Sequence, residues 1–320
     1  MQEHEGRVVG IDLGTTNSAI AFVNDNGEPV AIPNSSGETM IPSVVFFKDD
    51  EVVVGQAARW LALEQPARAV SEIKREMGNR DFEFPYQGNL LNPETISALI
   101  LKHLKQYAES QIGPISGAVI AVPFYFDDTR RKATMDAGQI AGLNVIDIVN
   151  EPVACALCYA YGRGQIGAHG EYVGDAGQDS PRPVLVYDLG GGTFDVAYVV
   201  YNSKRFQVVA TDGDVRLGGT DWTRRLVDFA ADRYAQQFGV DLRQDRASCL
   251  RLSRRCEEAK HTLSDREKTV LKIGGDKEEL TVQLSRDEFE EMTADLLLRT
   301  ETTTRDPCPE CHWASPNRTH

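Results

Sequence analysis

Nowhere in the 320 residues does an unbroken apolar stretch of about 18 side chains occur, so the sequence predicts no membrane span. Positive charge is scarce too: 34 Lys and Arg stand against 48 Asp and Glu, a formal net charge of -14. Binding nucleic acid through its backbone needs clustered cations, and this balance speaks against it, as it does against an anionic membrane surface. Cysteine is sparse, six in all. A disulfide framework belongs to short secreted chains, so the thiols are expected to be reduced. Cys155, Cys158, Cys249 and Cys256 fall in helical patterns and are expected to be buried. The opening MQEHEGRVVG is polar and runs straight into a strand pattern, unlike a secretory leader. The expected compartment is therefore reducing and cytoplasmic. With 41% hydrophobic residues the chain can bury a sizeable core, and its length implies two or more domains.

What the chain does have is a glycine-rich hairpin. Residues 184–200 read VLVYDLGGGTFDVAYVV: an apolar run ending in Asp188, then Gly190, Gly191 and Gly192, Thr193, Asp195 and a second apolar run. The pattern predicts strand, tight turn, strand. Glycine lets backbone N–H groups approach a ligand that a Cβ would exclude, and bare N–H groups in a turn attract anions, phosphate above all. The flanking carboxylates repel phosphate, so a cation is needed between them, and hydrated Mg²⁺ suits that role. A related stretch near the start, VVGIDLGTTNSAIAF, sets Asp12, Gly14, Thr15 and Thr16 between two strands. Read locally, Asp12 and Asp188 could simply cap their own turns. Written twice, the arrangement points to a nucleotide clamped between two halves.

Periodicity organises the rest. Strands are expected over residues 7–11, 18–23, 30–32, 43–47 and 52–54, and a helix over 56–63. Lys74 falls on a short helix or loop within 69–78. Asn92 and Pro93 suit an N-cap and a first turn, opening a helix that Gly113 and Pro114 stop. A strand over 118–122, a helix capped by Asp127 or Asp128, a strand over 145–149 and a helix from Asn150 to about Tyr161 follow. Residues 162–183 lack a period and read as a surface loop between the two halves. After the central hairpin, residues 205–211 continue its sheet. Helices are expected over 221–238 and from Asp245 to 263, and a hairpin over 269–273 and 280–284. A Ser285/Glu288 capping box opens a last helix to about 299. Alternating buried strands and helices make this an α/β chain.

Seven strings resemble the nucleotide-binding domain of the DnaK-type chaperones, the heat shock protein 70 family. They are GIDLGTTNS (10–18), IKREMG around Lys74, AVPFYFDDTRRKATMDAGQIAGLNV (121–145), NEPVACALCYAYG (150–162), DLGGGTFDV (188–196), LGGTDW (217–222) and CEEAKHTLS (256–264). They come in the family's order. The resemblance implies an actin-like ATPase fold, ribonuclease H-like and duplicated, with two lobes around a nucleotide cleft. Residues 1–161 would form the first lobe, 162–183 a surface loop, 184–305 the second lobe and 306–320 a tail foreign to the fold.

Roles carry over from the resemblance residue by residue. Gly14, Thr15, Thr16 and Asn17 would cradle the ATP phosphates from the first lobe. Gly190, Gly191, Gly192 and Thr193 would do so from the second, beside Gly218 and Gly219. Asp12 and Asp188 would hold hydrated Mg²⁺ and order K⁺. Lys74 would position the attacking water, with Glu151 near that water and Thr193 and Asp195 completing the network. Glu257 and Lys260 would contact ribose and Ser264 adenine, while His261 stands where the family has an adenine-stacking Arg. Judged alone, Lys74 is an ordinary solvated helix lysine, Glu151 an acid at a helix start, and Glu257 with His261 an i,i+4 pair. The implied reaction is slow hydrolysis of ATP to ADP and phosphate, coupled to lobe closure. A J-domain co-chaperone and a nucleotide-exchange factor are the implied partners.

The chain departs from the family near Arg305. The glycine-rich adenosine turn, closing helices, linker, peptide-binding sandwich and lid that the family carries do not follow. The expectation is a C-terminally truncated second lobe with a weakened adenosine wall, binding no client peptide. The tail string Cys308-Pro309-Glu310-Cys311-His312 has haem-attachment and zinc-like spacing, but an unligated tail is the favoured reading. The alternative function is a nucleotide-binding or interaction fragment with impaired catalysis. A filament-forming or sugar-kinase reading fits the strings at 121–145 and 150–162 less well.

Overall fold

The computed structural model describes residues 6–167, 173, 180–202, 205–274 and 278–305. The N-terminal half is organised by strands whose side chains alternate between core and surface. In β1 (Arg7–Asp12), Val9 and Ile11 are buried while Val8, Gly10 and Asp12 are exposed. The chain turns into β2 (Asn17–Val23) and β3 (Pro29–Ala31), and β4 (Met40–Pro42) joins β2 at one end. A smaller sheet holds β5 (Val45–Phe47), β6 (Val52–Val54) and, after α1 (Gln56–Glu64), β7 (Ala69–Val70). A 3-10 turn, Ile73–Glu76, carries Lys74, and β8 (Phe84–Tyr86) with β9 (Asn89–Leu91) forms a hairpin.

Helix α2 (Pro93–Ile112) starts as expected: the Asn92 side chain accepts from the Thr95 N–H at 2.9 Å. Such a cap contributes about 1 kcal/mol. The chain then forms β10 (Ile115–Val122), α3 (Asp128–Ile140) capped by Asp127, β11 (Val145–Asn150) and α4 (Glu151–Gly162). The main sheet has the order β11-β10-β1-β2-β3. β1, β10 and β11 run parallel, while β2 and β3 are antiparallel additions. Ile96, Ile100 and Leu104 of α2 and Ala133 and Ala137 of α3 belong to one core with Val9, Ile11, Ile120 and Val122. Asp12 and Glu151 sit where the parallel strands end or have just ended, the usual edge for a ligand crevice in α/β sheets.

The C-terminal half repeats the opening move. β12 (Arg182–Leu189), β13 (Phe194–Tyr201) and β14 (Phe206–Asp214) form an antiparallel meander. Its register pairs Asp188 with Asp195 and Leu189 with Phe194 across the glycine turn. Helices α5 (Gly219–Phe238) and α6 (Arg246–Asp265) share a core with the hairpin of β15 (Lys268–Gly274) and β16 (Glu279–Ser285). The Ser285/Glu288 capping box forms, and α7 (Arg286–Arg305) runs one to two turns beyond the expected end. Thr300 and Thr304, polar by type, extend its buried face, which apolar periodicity does not reveal.

Three expectations need correction. The strand expected over 43–47 is shorter, β5 over Val45–Phe47, and β4 just before it was not expected. The short β7, β8 and β9 lie below the length at which alternation shows. Of the four described cysteines only Cys256 is buried; Cys155 and Cys158 are exposed and Cys249 is half-buried. The reason is rotational: α4 turns its stripe of Pro152, Ala156 and Ala160 inward, which leaves both of its cysteines outside. Residues 306–320, with the Cys308 to His312 string, lie outside the described residues, as does half of the 162–183 loop.

Candidate functional site

The two glycine turns face each other at close range. A Cβ on Gly191 would sit 1.9 Å from Thr16 Oγ1, and one on Gly192 would sit 2.5 Å from Thr15 Cγ2. Only glycine permits this approach. The turn around Gly191 is fixed from behind: Gly190 and Gly191 carbonyls accept from the Gly219 and Thr220 N–H groups, both at 2.9 Å. Gly219 and Thr220 therefore brace the turn, with Gly218 packed against Gly191 and Gly192. Among the described residues the N–H groups of Gly14, Thr15, Thr16, Gly191 and Gly192 have no protein acceptor, and the buried Thr16 hydroxyl has no partner. Unpaired donors converging between two turns suit an oxyanion. Asn17 opens β2 beside them.

Next to the turns, Lys74 Nζ donates to Glu151 Oε1 at 2.6 Å, with side chains 7% and 13% exposed. Burial works against the ammonium, but Glu151, Asp12 and Asp195 outweigh it and keep the Lys74 pKa above that of an ordinary lysine. Burial lifts Glu151, and Asp12 and Asp188 add to the rise, while Lys74 opposes it. Asp188 is raised by burial and by Asp12. Asp195 is pushed up to about 7 by burial, Glu151 and Asp188. Four acids thus share one lysine. Thr193 stands at the same place, close to the Tyr125 phenol, which burial and Asp195 raise. Cys155 is reached by solvent, yet the protein around it and the acids Asp188, Glu151 and Asp12 push its thiol up to about 11.

On the far side of Thr16 and Asn17 lies a cavity of about 440 Å³, also lined by Trp60, Arg254, Glu257 and His261. That volume is in the range of small-molecule sites. Glu257 is held by Lys260 at 2.9 Å, by His261 at 3.0 Å and by the Thr223 hydroxyl. These bonds outweigh burial and lower its pKa. Lys260 also donates to the Gly219 carbonyl at 2.9 Å, tying α6 to the braced turn. Ser264 lies apart: it is exposed, and its hydroxyl turns back toward the Lys260 carbonyl at 3.5 Å.

The family described as Hsp70 protein matches residues 8–86 and 79–308 of the sequence, which takes in both turns, the Lys74 pair and the Glu257 cavity. The chain belongs to the Hsp70 family. Its members are chaperone ATPases of the actin-like fold, which bind nucleotide with Mg²⁺ and work with co-chaperones and clients. The mixed α/β sheet of this Hsp70-family chain agrees with that fold. No helix among the described residues is long and apolar enough to cross a membrane.

The acids of this Hsp70-family site also fit Mg²⁺ by their chemistry. Among the described residues no three His, Cys, Asp or Glu side chains form a direct metal cage. A divalent ion held through its own water shell needs no such cage, and the excess of carboxylate over ammonium around Asp12 and Asp188 supplies the attraction.

Three contacts were not legible in the sequence. Arg75 Nε and Nη2 donate to the Gly192 carbonyl at 3.1 and 2.6 Å, and Nη2 reaches Asp221 at 3.4 Å. Arg254 stacks over the Trp60 ring, 3.8 Å from its centroid. Tyr125 meets Thr193. Each joins segments far apart in the chain. The only sequence signal for Arg75 was its place beside Lys74.

Proposed function

We propose that this chain is the ATP-hydrolysing domain of a DnaK-type chaperone, with two lobes that close on the nucleotide between the two glycine turns. The observation that carries the reading is the buried Lys74–Glu151 pair, set among acids and beside converging N–H donors. In this reading the N–H groups of Gly14, Thr15, Thr16, Gly191 and Gly192 hold phosphate oxygens, and the Thr16 and Thr193 hydroxyls assist. The nucleoside occupies the Trp60 cavity, against Glu257 and His261, with Lys260 positioning Glu257. Ser264 has a smaller part than the resemblance implies, since it stands outside that cavity.

Mg²⁺, when bound, neutralises phosphate charge, and Asp12 and Asp188 would hold its water shell. Four acids and a triphosphate leave negative charge over, which suits additional K⁺. Lys74 orients the attacking water and Glu151 fixes Lys74. The water oxygen bonds to the γ-phosphorus, the bond to the β-phosphate oxygen breaks, and ADP leaves as the anion. Asp195, poised near neutrality, is placed to take the water's proton. Positioning and charge stabilisation are the main needs of phosphoryl transfer. A J-domain co-chaperone and a nucleotide-exchange factor are the proposed partners.

The test is phosphate formation from ATP in the protein and in Lys74→Ala. Loss in the variant supports hydrolysis; equal rates would leave only the nucleotide-binding reading.

A further inference from the structure

A second cavity, of about 1220 Å³, reaches the phosphate turns from another side. It shares no lining residue with the Trp60 cavity. Thr16 and Asn17 line the one; Lys74, Thr193 and Tyr125 line the other. Six arginines surround it: Arg75, Arg130, Arg216, Arg224, Arg225 and Arg299. In a chain of net charge -14 that concentration is local.

Five acids also line this cavity, but each is already engaged. Glu72 and Asp221 pair with Arg75. Glu76 accepts from Asn79, Asp127 caps α3, and Asp228 pairs with Arg243. Arg216 has no acidic partner among the described residues, and Arg130 lies over the Phe126 ring at 5.6 Å. Arg224 pairs with Asp221, Arg225 with Asp295 and Arg299 with Asp214, which leaves Arg130 and Arg216 as the lining arginines without an acidic partner among the described residues. Guanidinium forks match the oxygens of a tetrahedral anion.

Arg75 stands between this cavity and the glycine turn, bonded to the Gly192 carbonyl. We propose that the arginine-lined cavity is a second oxyanion site, which takes inorganic phosphate past Arg75 on the side away from the nucleoside. The proposal rests on the hydrolysis reading for the origin of the phosphate, though not for the affinity of the site. A route of this kind frees phosphate without requiring ADP to leave first.

Arg216 is the residue to change, because it is exposed and takes no part in the turns. Inorganic phosphate is titrated into the full chain with and without ADP and Mg²⁺, by calorimetry and by ³¹P line broadening. Arg216→Glu is expected to weaken phosphate binding ~3- to 10-fold, from the Coulomb change at one wall, and Arg216→Lys to restore most of it. ADP affinity should stay within about twofold in both variants, and salt should weaken phosphate binding to the unaltered protein. Equal phosphate affinity in Arg216→Glu, or no binding by the unaltered protein at millimolar phosphate, overturns the proposal. Failure of the hydrolysis reading would show separately, as no phosphate formed from ATP in acid-quenched mixtures, and leaves the titration unaffected.

Discussion

Lys74 Nζ and Glu151 Oε1, 77 residues apart in the chain, meet at 2.6 Å in the interior of the site. The bond ties a 3-10 turn to the first residue of α4, so the pair is both an element of the site and a fastening of the fold. Removing Lys74 strands a buried carboxylate. Breaking a buried pair costs about 3–5 kcal/mol, and proton uptake by Glu151, whose pKa is already raised, should hold the loss of Lys74→Ala near the lower figure. Phosphate formation should fall by about 10²–10³, the usual loss when a preorganised charge stabiliser is removed. Urea unfolding and single-turnover assays measure the two effects. An unchanged unfolding midpoint would mean that the pair is not a buried one.

Asp195 should make the nucleotide-free protein less stable as pH rises. Its folded pKa is raised from 3.8 to about 7, so between those values the folded state holds a proton that the unfolded state has lost. The sign is then fixed: the contribution of this residue to stability declines from pH 3.8 up to about 7 and is flat beyond. Unfolding midpoints at pH 5.5 and 7.5 should differ less in Asp195→Asn than in the unaltered protein. Adding Mg²⁺ should narrow the difference as well. Identical pH slopes in protein and variant would dismiss Asp195 as the group responsible.

The sequence carried the site's strands and turns well and its cross-connections poorly. Asp188, the three glycines and Asp195 were legible because alternation and turn chemistry act over a few residues. Asn92 and Asp245 caps were legible for the same reason. Arg75 on the Gly192 carbonyl was not, since 117 residues separate the partners and a surface-type arginine has no pattern. The cysteines of α4 show the same limit. Periodicity located the helix, but only packing against β12 and β13 decides that Ala156 rather than Cys155 faces inward.

Trp60 of α1 and Arg254 of α6 stack on each other and both line the cavity proposed above for the nucleoside. A cation over an indole at a partly exposed site is worth roughly 0.5–1 kcal/mol. Trp60→Ala should therefore speed the dissociation of a fluorescent ADP analogue by about two- to fivefold, and Arg254→Ala should do the same. The double variant should lose no more than either single one, because both remove one contact. Additive effects would show that the two residues act separately.

Gly191 tests the meeting of the turns most directly. An added methyl group would lie 1.9 Å from Thr16 Oγ1 and 2.8 Å from Thr16 Cβ, so Gly191→Ala must push the turns apart. Overpacking of this kind costs about 1–3 kcal/mol. Gly10→Ala is the control, because a Cβ there meets nothing within 4 Å, and it should shift stability by no more than about 0.5 kcal/mol. Thr16→Ala added to Gly191→Ala removes the nearest struck atom and should recover part of the lost stability. It should not recover ATP affinity, since the Thr16 hydroxyl is itself one of the unpaired donors. Thermal melts and titrations with fluorescent ATP separate the two quantities. If the double variant regained affinity along with stability, the Thr16 hydroxyl would have no part in holding phosphate, and the opposed turns would serve the fold alone.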